Sequence, residues 1–248
     1  MIEPFFFREE QLFGCYHPAG GIGSSRLLVI CPPFFDEYRR SYKALADLAN
    51  ACAEQNINVL RFDYFGTGES FGTLDQASVD GWRSDIESAI EEGIALSGAD
   101  EVCLLGVRFG GTLAAQARHD CIKRYVFWDP VVSGSSYLAW LEEVNNDLKR
   151  SHYQLSRKIN KGFENIEYEA FHLPLSLRNG IHELLLDQKA LEKIAQTYVI
   201  TTDKTVYDSN IFSNCEFPGL RYDWPVYHDG VISQKPVLEA IAGRVIAS

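Results

Sequence analysis

Val102-Cys103-Leu104-Leu105-Gly106-Val107-Arg108-Phe109-Gly110-Gly111 is the stretch that decides the fold. Its apolar start reads as a short strand buried on both faces, and the Ala-rich segment that follows, Gly110 to Arg118, reads as a helix. Gly106 and Gly110 flank Arg108 symmetrically. Small neighbours on both sides let a chain turn sharply from strand into helix while the central side chain projects above the sheet.

The same rhythm extends outward from this turn. Leu27-Leu28-Val29-Ile30-Cys31, Val59-Leu60-Arg61-Phe62, Tyr125-Val126-Phe127-Trp128 and Tyr198-Val199-Ile200-Thr201 are further strand candidates. Helical periodicity separates them. Residues 38–55 place Tyr42, Leu45, Leu48 and Cys52 on one stripe, and residues 78–96 do the same with Val79, Trp82, Ile86, Ile90 and Ile94. A final helix is expected over residues 233–246. Phe5-Phe6-Phe7 and Leu12 to Tyr16 suggest an N-terminal hairpin, and a weak strand is expected near residues 219–224. Strands alternating with helices imply a mostly parallel central sheet flanked by helices, an α/β class. The alternation breaks between residues 135 and 192, which are helical in pattern and polar. The expected organisation is a core of residues 1–134 and 193–248 with a helical cap insertion over 135–192.

A formal net charge of -11 argues against nucleic acid, whose phosphates require a basic surface. No apolar run approaches the length of a membrane span, and the N-terminus lacks the pattern of a signal peptide. The six cysteines (Cys15, Cys31, Cys52, Cys103, Cys121 and Cys215) form no CxxC pair, which favours reduced core thiols and a cytoplasmic location. The histidines show no metal-ligand spacing, so neither metal nor cofactor is expected.

Taken together, Cys31-Pro32-Pro33-Phe34-Phe35-Asp36-Glu37-Tyr38, Leu60 to Ser70 with its Gly66-Thr67-Gly68 turn, the Gly106–Gly110 turn and Trp128-Asp129-Pro130-Val131-Val132-Ser133-Gly134 resemble the α/β-hydrolase superfamily. More narrowly, they resemble serine-aminopeptidase-like hydrolases, including those found beside exosortase systems. The resemblance implies the α/β-hydrolase fold, with Gly106-Val107-Arg108-Phe109-Gly110 as its nucleophile elbow. It places Arg108 at the nucleophile position and the N–H groups of Phe34 and Phe109 in the oxyanion hole. His228 falls where the catalytic base belongs, and Asp203 where the acid belongs. Asp208 and Asp129 remain alternatives to Asp203.

Arginine cannot replace serine chemically. A guanidinium stays protonated and has no lone pair to offer, so the acyl-enzyme route is closed. It can grip a carboxylate, phosphate or developing oxyanion through paired N–H donors. Ser70 reads as support behind the site, and Cys31 and Cys103 as core. Asp36 and Glu37 either favour the dipole of the helix they begin or offer Arg108 a salt bridge; Asp129 either caps its strand or joins the site.

Two readings follow. In the first, the chain is an enzyme acting on an acyl ester, thioester or amide, or performing a related elimination or cyclisation. A His228–Asp203 base would act there beside an anion site at Arg108. In the second it is a non-catalytic homologue that binds an anionic acyl ligand or a partner protein. The sequence leaves the substrate and the oligomeric state open.

Overall fold

In a computed structural model of the chain, residues 2–21, 23–159, 173–187, 191, 195–202, 214–218, 224 and 235–246 are described. Strands β1 (Glu3–Phe7) and β2 (Leu12–His17) form the N-terminal hairpin. Next come β3 (Arg26–Cys31), helix α1 (Phe35–Glu54), β4 (Asn58–Phe62) and α2 (Val79–Ser97). The elbow joins β5 (Glu101–Val107) to the short α3 (Phe109–Ala114), and β6 (Ile122–Trp128) follows. Helices α4 (Gly134–Ile159) and α5 (Leu175–His182) separate β6 from β7 (Gln196–Ile200). The described elements end with β8 (Cys215–Glu216) and α6 (Lys235–Ile246).

The strands make one sheet in the order β1-β2-β4-β3-β5-β6-β7-β8. It is parallel from β4 onward, and only β2 runs against its neighbours. The carboxyl ends of β3, β5, β6 and β7 therefore share one edge, where open α/β sheets bind ligands.

Period-two alternation divides the central strands between two cores. Leu27, Val29 and Cys31 of β3 join Leu104, Phe127, Trp82 and Ile86 in one cluster. Leu28 and Ile30 join Leu105, Val126 and the inner faces of α1 and α6 in the other. This explains the uninterrupted apolar run of β3, since both of its faces are covered.

Helix α1 departs from the expected stripe. Its buried face is Ser41, Ala44, Leu45, Leu48, Ala49 and Cys52, whereas Tyr42 is 45% exposed. The 3.6-residue turn sets Tyr42 beside this stripe, where it packs on Tyr38 and beneath the Arg61 guanidinium. The expected strand at residues 219–224 falls almost wholly outside the described residues, and the strand that completes the described sheet is Cys215–Glu216. No helix among the described residues is long and apolar enough to cross a membrane.

Candidate functional site

The elbow's glycines are dictated by backbone packing. A Cβ on Gly110 would sit 2.2 Å from the Pro32 carbonyl oxygen and 2.4 Å from that of Cys31. A Cβ on Gly106 would sit 2.3 Å from the Gly111 Cα. Strand, turn and helix can approach this closely only without side chains. Arg108 itself adopts φ 52°, ψ -124°, a conformation that costs a non-glycine residue about 1–3 kcal/mol. Its backbone is held by an Arg108 N–H bond to the Trp128 carbonyl (3.0 Å) and by Gly111 and Val131 N–H groups donating to its own carbonyl. The elbow thus holds Arg108 in a strained backbone geometry.

Phe35 (φ 48°) and Asp129 (φ 42°) adopt positive φ as well. They follow β3 and β6, so strained backbone gathers at the carboxyl edge around Arg108.

The Arg108 side chain is well enclosed, at 15% exposure. Its Nε donates to Glu37 Oε1 at 2.7 Å, and Nη1 donates to the Asp129 main-chain carbonyl at 3.0 Å. Glu37 lies in the first turn of α1, is itself 4% exposed, and also accepts a bond from the Tyr137 hydroxyl of α4 at 2.9 Å. Burial, and then the Glu37 charge, push the Tyr137 phenol well above its ordinary range, so it remains a donor. The Arg108 guanidinium carbon lies 5.6 Å from the Trp140 ring centre and 5.2 Å from that of Trp224, within cation–π range.

The Asp129 carboxylate is held by donors from the end of β7 and from Trp224. It accepts from the Thr202 N–H (2.7 Å), the Thr202 and Thr201 hydroxyls (2.6 and 3.1 Å) and the Trp224 indole N–H (2.9 Å). These donors meet most of the lone pairs a carboxylate offers. Asp129 therefore clamps β6 to the end of β7 and to Trp224, whose carbonyl accepts from Arg40 of α1 at 2.6 Å. A buried polar chain runs from Tyr137 through Glu37 and Arg108 to Asp129 and on to Trp224.

Phe34 and Phe109 stand where the resemblance sets the oxyanion donors. Phe34 caps α1, and Phe109 is the first residue of α3, whose N–H is one of those a helix start leaves without an intrahelical acceptor. Their rings pack 4.8 Å apart, Phe34 rests on Trp82, and Phe109 stacks on Tyr137, which stacks on Trp140. His228, Asp203 and Asp208 lie outside the described residues. Ser70 is buried and bonds the Asp63 carbonyl while accepting from the Phe13 N–H, a supporting role. Burial pushes the Cys31 thiol up and that of Cys103 up to about 12, so neither is a ready nucleophile. Among the described residues no cluster of histidine, cysteine or carboxylate side chains is placed to hold a metal.

The sequence reading did not single out Tyr137, Trp140, Thr201, Thr202, Arg40 or Trp224. Only the position of Thr201 and Thr202, immediately after β7, could have marked them.

No family model and no curated protein sequence matches the chain. Solved structures do resemble it. A proline iminopeptidase-related protein from Thermus thermophilus is 16% identical, with 99% of this chain and 98% of that chain covered and a TM-score of 0.63. An alpha-beta serine hydrolase homologue from Coxiella burnetii is 18% identical over 88% of this chain and 85% of that one, with a TM-score of 0.51. Mouse alpha/beta hydrolase domain-containing protein 10 is 15% identical over 98% and 95%, with a TM-score of 0.53. At such identities the likeness concerns the fold, and the chain has the α/β-hydrolase fold.

Proposed function

We propose that this chain is a non-catalytic relative of the α/β-hydrolases that binds an acyl group carrying an anion. The observation that carries this reading is the Arg108–Glu37 ion pair at the nucleophile position, 2.7 Å long and largely buried. A guanidinium already held by a carboxylate neither attacks a carbonyl nor stands ready to receive a developing oxyanion. Glu37 indicates the chemistry the position accepts, and a ligand carboxylate would compete with it for Arg108. Half-buried Trp140, stacked on Tyr137 with Phe109 behind it, is an aromatic surface beside Arg108 suited to the acyl body. The Asp129 carboxylate supports the same reading, since it accepts four hydrogen bonds from Thr201, Thr202 and Trp224 that serve to clamp the fold.

The test is hydrolysis of a panel of short p-nitrophenyl esters and acyl thioesters by the wild type, Arg108→Ala, His228→Ala and Arg108→Ser. The wild type is expected to show no turnover beyond that of His228→Ala. Wild-type turnover that disappears in either alanine variant would overturn the proposal in favour of an enzyme using His228 as base beside Arg108. Arg108→Ser reports on the rest of the machinery: esterase activity gained there means that only the nucleophile was lost.

A further inference from the structure

On the α1 side of the N-terminal hairpin, at the opposite end of the sheet from the elbow, a polar cluster centres on His17. His17 ends β2 opposite Val59 of β4 and is 2% exposed. Its Nδ1 lies 2.9 Å from Asn50 Oδ1 of α1, and its Nε2 accepts from Arg61 Nε of β4 at 3.2 Å. The Arg61 guanidinium rests 5.2 Å from the Tyr42 ring centre. These contacts fix the tautomer. A guanidinium only donates, so Nε2 presents its lone pair and the ring proton sits on Nδ1, donated to Asn50. A second proton, on Nε2, would face the Arg61 N–H donor to donor and set two positive charges side by side.

Among the described residues, the surrounding groups do not offset that repulsion. Cys15, on the same face of β2, is buried, and burial raises its thiol, so it stays neutral. On α1, Asp47 and Glu54 flank Asn50 by one turn but are exposed, and Asp47 is paired with Lys43. Glu3 of β1 lies on the other face of the hairpin, opposite Tyr16. Burial and then the Arg61 charge hold the imidazole below its ordinary range; the bond to Asn50 offsets part of this, and the charge of the amino terminus adds to it. The loop after His17 hangs on the same seam. Ala19 N–H donates to Asn58 Oδ1 at 3.0 Å, Gly20 N–H to the Ala53 carbonyl at 2.8 Å and Gly21 N–H to Asn56 Oδ1 at 3.1 Å. His17 thus sits where β2, β4 and the end of α1 meet.

We propose that His17 is an acid-sensitive latch of the N-terminal hairpin. A solvent proton taken up by the Nε2 lone pair breaks the Arg61 bond, and the seam between β2, β4 and the end of α1 opens to bring the imidazolium into water. In the open seam the ring takes up its proton at the ordinary value near 6.5, whereas in the closed seam it does so only at lower pH. The latch is therefore fully closed above about pH 6.5 and loosens as pH falls below it. Each pH unit in that window favours opening by up to about tenfold, the effect of one proton.

Amide hydrogen exchange on the full chain, corrected for the intrinsic rate, tests the latch between about pH 8 and about pH 5. Exchange at Cys15 to His17 and Ala19 to Gly21 should rise by up to about tenfold per pH unit below about 6.5, while β5 and β6 stay level. His17→Gln keeps an acceptor for Arg61 and a donor for Asn50, so it should match the wild type near pH 8 and lose the acid response. Imidazole nitrogen shifts, assigned by their loss in His17→Gln, should show a ring protonated on Nδ1 that titrates below about 6.5. In Arg61→Met the ring should titrate higher and the acid response should shrink, which carries the test even if His17→Gln does not fold. A ring protonated on Nε2, or titrating at or above about 6.5, overturns the proposal. So does an acid response that persists in His17→Gln, one that spreads equally to β5 and β6, or a titration unchanged in Arg61→Met.

Discussion

At the carboxyl edge of the sheet Arg108 meets a carboxylate, whereas at the amino edge Arg26 and Arg124 meet carbonyls and an amide oxygen. The residue type is the same and the surroundings differ. The Arg108–Glu37 pair is nearly closed to solvent, so each charge depends on the other for its stability in the fold. The amino-edge arginines are partly exposed and keep some hydration. An arginine with a buried carboxylate within reach is braced as an internal strut, and an incoming anion must displace that carboxylate to reach it. The elbow backbone, strained and glycine-flanked, does not decide between these outcomes; the partner of the side chain does.

Removing Glu37 is the strongest way to break this comparison. Glu37→Ala should cost about 3–5 kcal/mol in urea unfolding, because it strands a largely buried guanidinium. The double replacement Glu37→Met with Arg108→Met should recover most of that loss, ending within about 1 kcal/mol of the wild type. Additive losses would show that the two side chains act independently and are not a strut. Millimolar acetate should raise the unfolding midpoint of Glu37→Ala more than that of the wild type, since it can replace the missing carboxylate. Equal response in both proteins would count against an anion site at Arg108.

Tyr137→Phe sharpens the picture at smaller amplitude. Phenylalanine keeps the stacking on Phe109 and Trp140 and removes only the bond to Glu37, so the expected loss is about 1.5–3 kcal/mol. Burial and the Glu37 charge raise the folded phenol above the ordinary value near 10. The sign follows directly: the unfolded chain releases this proton first, so the contribution is complete below pH 10 and is lost as pH rises beyond it. The fall in stability above pH 10 should therefore be shallower in Tyr137→Phe. An unchanged slope would mean that Tyr137 is not held as a neutral donor to Glu37.

Most of the fold was legible because its signals are local. The run Leu27 to Cys31 announces burial on both faces, and the Gly106–Gly110 spacing announces a turn whose close contacts tolerate no Cβ. Strand β8 was not legible, since Cys215–Glu216 takes its place by pairing with β7 and carries no apolar run. In α1, Tyr42 was assigned to the buried stripe on residue type, while the small residues Ser41, Ala44 and Ala49 that fill it were overlooked. At the elbow the residue type of Arg108 excluded the acyl-enzyme route before any geometry was known. A bond between Glu37 and Tyr137, separated by 100 positions, leaves no trace in spacing. The approach of Arg26 to Arg124 was invisible for the same reason: Arg26 begins β3, Lys123 and Arg124 lie together near the start of β6, and only the parallel register brings them to one edge.

The smallest expected effect belongs to that amino edge. Arg26→Gln removes a cation that bonds the Ile246 carbonyl at the last turn of α6, where positive charge favours the helix dipole. The loss should be about 0.3–1 kcal/mol in urea unfolding, because the side chain is partly exposed and the carbonyl it leaves can be met by water. A loss as large as that of Glu37→Ala would erase the contrast between the two edges and make Arg26 a strut as well.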